Sequence, residues 1–253
     1  MKRFATRFIF MLIVTVALVS CKSEKKDGSS ELSDFPLEGL MNEMISAMFM
    51  SVEVFEEEVE SYLMIMIREN HQNVTITING NSVTLEGFMG FYFGDVNLTP
   101  GQTVSYNLTI DGTSRSGSLK VPNAIQGNFP DEFNLSADFP ISWTSASDPG
   151  GFLAYLDIEY EDDWVESFEL LNGSRRNHTF NRNIYSGLNP DDIWWIDAGV
   201  SAMNFEMKSN MLFAATYDVY EEYFFDEEMF FKNAEKRDAV KEKVRGLPAF
   251  FLK

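Results

Sequence analysis

Apolar and polar residues alternate along most of this chain, and the alternation predicts β-strands. In residues 74–78 and 103–110 apolar side chains recur at every second position, which is typical of strands with one buried face. Asn79-Gly80 and Asp111-Gly112 follow these runs, and both dipeptides favour two-residue hairpin turns. Short strands separated by turns at this spacing predict antiparallel β-sandwiches.

Two stretches repeat instead at every third or fourth residue, which predicts helices. Residues 36–47 form the first, with Pro36 at a position that suits a first helical turn. A strand is expected directly after it, because residues 48–54 also alternate. Residues 226–245 form the second, with acidic residues at the start, basic residues at the end, and Gly246 and Pro248 to stop it. We expect this helix to pack across a sandwich or to contact a partner.

The first 21 residues carry a different pattern, in which Lys2, Arg3 and Arg7 precede an apolar run that ends in Leu18-Val19-Ser20-Cys21. This stretch resembles the signal peptide and lipobox of bacterial lipoproteins. The resemblance implies that the leader is removed before Cys21 and that this thiol carries the lipid, a diacylglyceryl group with palmitate-like chains. The alternative is an uncleaved anchor with an incidental cysteine.

The lipoprotein resemblance also predicts a location and one partner, the membrane itself. The chain should be extracytoplasmic and held to a membrane through the lipid on Cys21, since several acyl chains give stable attachment. Lys22, where an Asp would favour the inner membrane, points to the outer membrane if the cell has two membranes. The polar residues that follow should form a disordered tether.

Charge and cysteine content limit the possible functions. The leader holds three of the 20 Lys and Arg and none of the 39 Asp and Glu, so the rest of the chain has a formal net charge of −22. Such a surface argues against nucleic-acid binding and against adsorption on anionic lipid. Cys21 is the only cysteine, which excludes intramolecular disulfides, a second thiol nucleophile and cysteine metal sites.

Residues 128–220 resemble a fibronectin type III domain. Trp143, the alternating residues 155–160, the Leu188-Asn-Pro190 turn and the Ala202-Met-Asn204 ending carry the likeness. It implies that Trp143 is buried against a tyrosine of the next strand. The tyrosine that closes the turn in that family is missing, since its position falls on Trp194 or Ile196. Residues 98–122 similarly resemble Ig-like modules of bacterial surface proteins.

The fold class expected from these patterns is all-β, with two tandem antiparallel β-sandwiches and a helix near each end of the body. The segments are a signal peptide (1–20), a lipidated tether (21–32), an Ig-like sandwich (33–122), a fibronectin type III-like sandwich (128–223), and a C-terminal helix and tail (224–253).

Candidate chemistry is sparse. No nucleophile, phosphate-binding or zinc motif occurs, and no cofactor is expected. Glu161, Asp162 and Asp163 are possible Ca²⁺ ligands, although a solvated acidic surface explains them as well. Trp164 and Trp195 could stack on sugars, but core packing is the alternative, and adjacent Trp194 and Trp195 must face opposite sides of a strand.

Three functions follow from the sequence. The first is a non-catalytic, lipid-anchored envelope protein that presents sandwich modules for binding, adhesion or spacing, with an unknown protein or glycan partner. The second is a carbohydrate-binding accessory lipoprotein. The third is an envelope hydrolase whose carboxylate pair cannot be recognised from sequence, and two close carboxyls with raised pKa values would favour it.

Overall fold

The computed structural model describes residues 46–55, 58–67, 73–88, 90–160 and 163–224. Cys21, the tether, Glu161, Asp162 and the helix expected at 226–245 lie outside these residues. In the described part, no helix is long and apolar enough to cross a membrane. The strands are β1 (Ser46–Phe55), β2 (Glu58–Met66), β3 (Val74–Ile78), β4 (Asn81–Val83), β5 (Glu86–Phe88), β6 (Phe91–Asp95), β7 (Thr103–Ile110), β8 (Thr113–Lys120), β9 (Ile125–Asn128), β10 (Phe139–Ser145), β11 (Gly151–Tyr160), β12 (Asp163–Asn172), β13 (Asn177–Phe180), β14 (Ile193–Lys208) and β15 (Met211–Phe224).

These strands form three sheets, which confirms the all-β, sandwich-like fold. An eight-stranded sheet has the order β12-β11-β14-β15-β1-β2-β6-β5. A four-stranded sheet, β4-β3-β7-β8, and a three-stranded sheet, β13-β10-β9, accompany it. Both predicted hairpin turns are present, because Asn79 and Asp111 adopt φ values of 51° and 45° and each is followed by a glycine at positive φ.

The two small sheets cover the same face of the large sheet. Tyr106 of β7 stacks on Phe213 of β15 with ring centroids 4.6 Å apart. Trp143 of β10 packs on Phe152 of β11 with centroids 5.2 Å apart. The main apolar core lies between these layers, and the buried side chains of β1 on this face are Met48, Met50 and Val52.

Strand β1 joins the two halves of the sequence. It runs parallel to β15, from Ser46 opposite Met211 to Val54 opposite Val219, and antiparallel to β2 on its other side. The eight-stranded sheet therefore contains strands from both of the segments expected to be separate sandwiches. The division of the chain into domains stays a prediction, but backbone hydrogen bonds cross the expected boundary.

The expected first helix is wrong at its end. Ser46 and Ala47, its last two residues, belong to β1, and residues 36–45 lie outside the described part. The alternating pattern prevails here because it places Ala47 and Met48 on opposite faces of a strand that is paired on both sides. The expected strand after it is confirmed, because residues 48–54 lie within β1.

The resemblance to fibronectin modules misplaces one contact. Trp143 is buried as expected, at 3% exposure, but its ring packs on Phe152. Tyr155 is three residues further along β11 and faces the opposite side, where its ring lies over Gly199. Before β14, the Tyr185 hydroxyl donates a hydrogen bond of 2.7 Å to the carbonyl oxygen of Ala137. A tyrosine therefore does anchor this loop, although it precedes the Leu188-Asn-Pro190 turn.

Candidate functional site

The second face of the eight-stranded sheet, which the small sheets leave uncovered, carries carboxylates at positions that are in register. Glu166 of β12 pairs with Asp157 of β11, Asp157 pairs with Asp197 of β14, and Asp197 pairs with Glu222 of β15. Residues directly opposite one another share a face. These four residues therefore form a line across four strands, which we call the carboxylate row.

The sequence builds this row by placing one acid at the centre of each of two apolar strands. Asp157 lies between Leu156 and Ile158, and Asp197 lies between Ile196 and Ala198. The apolar neighbours point into the core, so the period of two directs both acids to the opposite face. Asp157 and Asp197 are only 7% and 5% exposed.

Burial changes the acidity of the row. It raises the pKa of Asp157 to about 8, with further contributions from the charges of Glu166 and Glu159. Burial also raises the pKa of Glu166 to about 7. The Asp157 Oδ1 and Glu166 Oε1 atoms are buried and accept no hydrogen bond, so their charged forms lack the stabilisation that water would give. Both shifts favour the protonated, uncharged forms of these two carboxyls.

Further acids continue the same face beyond β15. Glu53 of β1 is opposite Asp218 of β15 and Glu60 of β2. The Tyr62 hydroxyl donates to Glu53 Oε1 at 2.6 Å, and the Thr216 hydroxyl lies 2.8 Å from Asp218 Oδ2. Burial, followed by the charges of Glu53 and Asp218, raises the pKa of Tyr62. We call the whole surface the acidic face, and among its carboxylates are Glu53, Glu60, Asp157, Glu159, Glu166, Asp197, Asp218 and Glu222.

The two tryptophans proposed for stacking lie on this face, on either side of one acid. Glu159 is opposite Trp164 on one side and Trp195 on the other. Trp164 is 44% exposed, whereas Trp195 is 8% exposed. Trp194 lies at an irregularity in the β11–β14 register and is half-buried. Trp164 is thus the ring of the pair that is accessible to a ligand.

The possible Ca²⁺ ligands are only partly placed. Asp163 is the first residue of β12, while Glu161 and Asp162 lie outside the described residues. Among the side chains that the structure describes, no group of three or more His, Cys, Asp or Glu could hold a metal ion.

Sequence reasoning missed the carboxylate row, although a signal for it exists. A single acid flanked by aliphatic residues within a strand, as at Asp157 and Asp197, indicates a polar position inside a largely buried face. What the sequence does not give is the pairing of strands whose acids are 40 positions apart.

Comparison with known proteins adds little. No protein-family profile matches the chain, and no curated protein does. Among solved structures, the fibronectin(III)-like modules of CbhA from Clostridium thermocellum are similar, with 8% identity and a TM-score of 0.22 over 67% of this chain and 87% of that one. That likeness is too weak to bear on function, and the sandwich-like fold rests on the strands described above.

Proposed function

We propose that this protein is a non-catalytic, lipid-anchored protein of the cell envelope that presents a β-sandwich for binding, adhesion or spacing. The lipobox-like stretch ending at Cys21 supports the anchor. The position of β1 supports a role in which the module bears mechanical force or contacts a partner. It is the first described strand after the expected tether, and it lies inside the sheet between β15 and β2.

A central first strand is suited to a tethered module. β1 pairs with both neighbours along almost its full length, over Ser46–Val54 with β15 and over Ala47–Phe55 with β2. A force applied along β1 through a lipid anchor would load the hydrogen bonds of both ladders together. Many bonds must then break at once, whereas an edge strand could be peeled away bond by bond.

The experiment that tests the anchor compares two neighbouring substitutions. Cys21→Ala removes the lipid acceptor, while Ser20→Ala keeps a small residue before an intact cysteine. We expect Cys21→Ala to lose incorporation of labelled fatty acid and to leave the membrane fraction, and Ser20→Ala to behave like the natural chain. Membrane retention and labelling of Cys21→Ala at natural levels would refute the proposal.

Carbohydrate binding is a second candidate because one aromatic ring is accessible beside carboxylates. Trp164 is 44% exposed on an edge strand and is opposite Glu159. Rings of this kind stack on the apolar faces of sugars, and carboxylates accept hydrogen bonds from hydroxyls. Trp164→Ala should abolish binding on a glycan array, while Met207→Ala, at a similarly exposed position of 43%, should not. Binding that survives Trp164→Ala would exclude this ring.

A hydrolase is a third candidate, favoured by the adjacent Asp157 and Glu166 with their raised pKa values. A general acid needs a carboxyl that stays protonated near neutral pH. It also needs access to substrate, and Asp157 is 7% exposed. The non-catalytic proposal predicts no hydrolysis of envelope glycans by the full chain. Hydrolysis that is lost in Glu166→Gln would replace it with the enzyme proposal.

A further inference from the structure

We propose that the outer surface of the three-stranded sheet binds an uncharged glycan in a groove beside Asn177 and Thr179, which we call the polar groove. The proposal rests on the binding role proposed above and deepens it, because it names a surface and a class of ligand. The groove is separate from Trp164, which lies on the acidic face, on the other outer surface of the molecule. Its shape, its lack of charge and its free hydrogen-bonding groups support the proposal.

The polar groove opens where the pairing of β9 with β10 ends. Ser142 of β10 is opposite Asn128 of β9, and the same register would place Pro130 opposite Pro140. Proline has no backbone N–H to donate, so the ladder cannot continue there. Pairing therefore stops at Asn128, and a groove of about 460 Å³ is lined by the residues that follow it, by β10 and by β13. This volume is within the range of small-molecule sites, roughly 300–1,000 Å³.

The polar groove and the sheet face around it carry little charge, although the chain has a net charge of −19. The outward positions of the three strands are Gln126, Asn128, Pro140, Ser142, Thr144, Asn177 and Thr179. Among the described residues that line the groove there is no Lys or Arg, and the carboxylate is that of the exposed Asp131. Burial, followed by the charge of Arg175, lowers the pKa of His178, so this ring is neutral at neutral pH. The groove lacks the basic groups that an anion needs and the several carboxylates that a cation needs, so an uncharged ligand fits it best.

The polar groove offers hydrogen-bonding groups that the protein leaves unused. Asn128 Nδ2 donates to Ser142 Oγ at 3.1 Å, which holds both side chains in place. In the part of the chain that the structure describes, the exposed side chains of Asn177 and Thr179 make no hydrogen bond within the protein. Asn177 is opposite Ser142, and Thr179 is opposite Pro140. Residues directly opposite one another share a face, so these amide and hydroxyl groups are available to one ligand.

This combination matches the two kinds of surface that a sugar presents. Sugar hydroxyls both donate and accept hydrogen bonds, and the amide of Asn177 and the hydroxyl of Thr179 can also do both. Sugar rings have apolar C–H faces as well, which need an apolar contact. Phe129, Pro130 and Pro140 line the same groove and provide that contact. The groove therefore combines the polar and apolar contacts that bind an uncharged sugar.

Titration of the full chain with defined oligosaccharides tests the proposal. The uncharged probes are maltohexaose, cellohexaose, mannohexaose and N-acetylchitohexaose, and the anionic control is hexagalacturonate. Isothermal titration calorimetry is carried out in a detergent without sugar head groups, so that the detergent does not compete. We expect at least one uncharged probe to bind with a Kd of about 1 mM or lower, and hexagalacturonate not to bind. Binding of none of the uncharged probes, or equal binding of hexagalacturonate, would overturn the proposal.

Matched substitutions locate the binding. Asn177→Ala combined with Thr179→Val should weaken binding by about tenfold or more, because two hydrogen bonds to the ligand are lost. Asn107→Ala, which is also exposed and outward-facing but lies on the four-stranded sheet, should bind like the natural chain, and so should Trp164→Ala. Thermal melting of each variant checks that the fold is kept. Equal binding by the paired variant and Asn107→Ala, or loss of binding in Trp164→Ala alone, would overturn the proposal.

The same samples separate this proposal from the envelope function. The probes recovered after titration should keep their full length, because the protein is expected to be non-catalytic. Shortened probes would contradict the non-catalytic function, while binding that depends on Asn177 would still support the polar groove. Absence of binding in a chain that attaches to membranes through Cys21 would overturn the groove alone. Sedimentation of the chain without probes tests a second copy as the occupant, and a dimer that dissociates in the paired variant would overturn the glycan proposal.

Discussion

The Tyr106–Phe213 stack allows a quantitative test of how the two halves of the chain are joined. Tyr106 belongs to the expected Ig-like segment and Phe213 to the expected fibronectin-like segment. They are 2% and 0% exposed, and their rings are 4.6 Å apart at an interplanar angle of 15°. The double-mutant cycle of Tyr106→Leu and Phe213→Leu measures how strongly this contact couples the segments.

The expected magnitude follows from the contact. Each replacement keeps most of the apolar volume and should destabilise the fold by about 1–2 kcal/mol. Tyr106→Leu also removes the hydrogen bond from its hydroxyl to Glu206, but this loss occurs in both Tyr106 variants and cancels in the cycle. A stacked pair contributes about 1 kcal/mol beyond its burial. The double variant should therefore be about 1 kcal/mol more stable than the sum of the single effects predicts.

Urea denaturation of the full chain, followed by fluorescence and circular dichroism, gives the four free energies of unfolding. The control is the cycle of Phe213→Leu with Phe152→Leu, since Phe152 is two strands away and packs on Trp143. That cycle should be additive within about 0.4 kcal/mol. Additivity in the Tyr106 cycle as well would refute the packing of the four-stranded sheet on the large sheet.

Three further predictions concern a loop, its pH dependence and a hairpin turn. Tyr185→Phe should lower the free energy of unfolding by about 0.5–1.5 kcal/mol, because the hydrogen bond from the Tyr185 hydroxyl to the carbonyl oxygen of Ala137 is lost; a change under about 0.3 kcal/mol would contradict this. Burial and the charge of Asp138 raise the pKa of Tyr185 to about 12, above its usual 10. The contribution of Tyr185 should thus be complete below pH 10 and decrease between pH 10 and 12, and this decrease should be absent in Tyr185→Phe. Gly112→Ala should cost about 1–2 kcal/mol because Gly112 has φ +83° with open space around it, whereas equal stability would contradict the hairpin turn.

Local features of this fold could be predicted from the sequence. The Asn79-Gly80 and Asp111-Gly112 turns need positive φ values, which these residue types adopt readily. Alternation over a few residues determines which side chains of β7 face inward. The region before β1 was ambiguous because helical and alternating patterns overlap there. Ser46 and Ala47 are strand because they belong to a strand that pairs with β15 and β2. The local sequence does not indicate that these strands are its partners.

The carboxylate row and the parallel β1–β15 pair could not be predicted, for the same reason. Both depend on register between segments that are far apart in sequence, such as Ser51 and Thr216. A shift of one residue in β14 would move Asp197 to the core face and leave a different surface. The exposure of Trp164 and the burial of Trp195 likewise follow from strand position, since β12 is an edge strand and β14 is internal.

The most direct test of the central claim, that one sheet unites both halves of the chain, is a disulfide between β1 and β15. The Ser51 and Thr216 hydroxyl oxygens are 2.9 Å apart in the structure, and neighbouring strands have the Cα separation that a disulfide needs. In a Cys21→Ala background, Ser51→Cys with Thr216→Cys should form an intramolecular disulfide under mild oxidation. The control is Ser51→Cys with Ser201→Cys, whose positions have β15 between them, and it should remain reduced. Failure of the first pair to close, or equal closure of both pairs, would contradict the parallel β1–β15 register on which the fold depends.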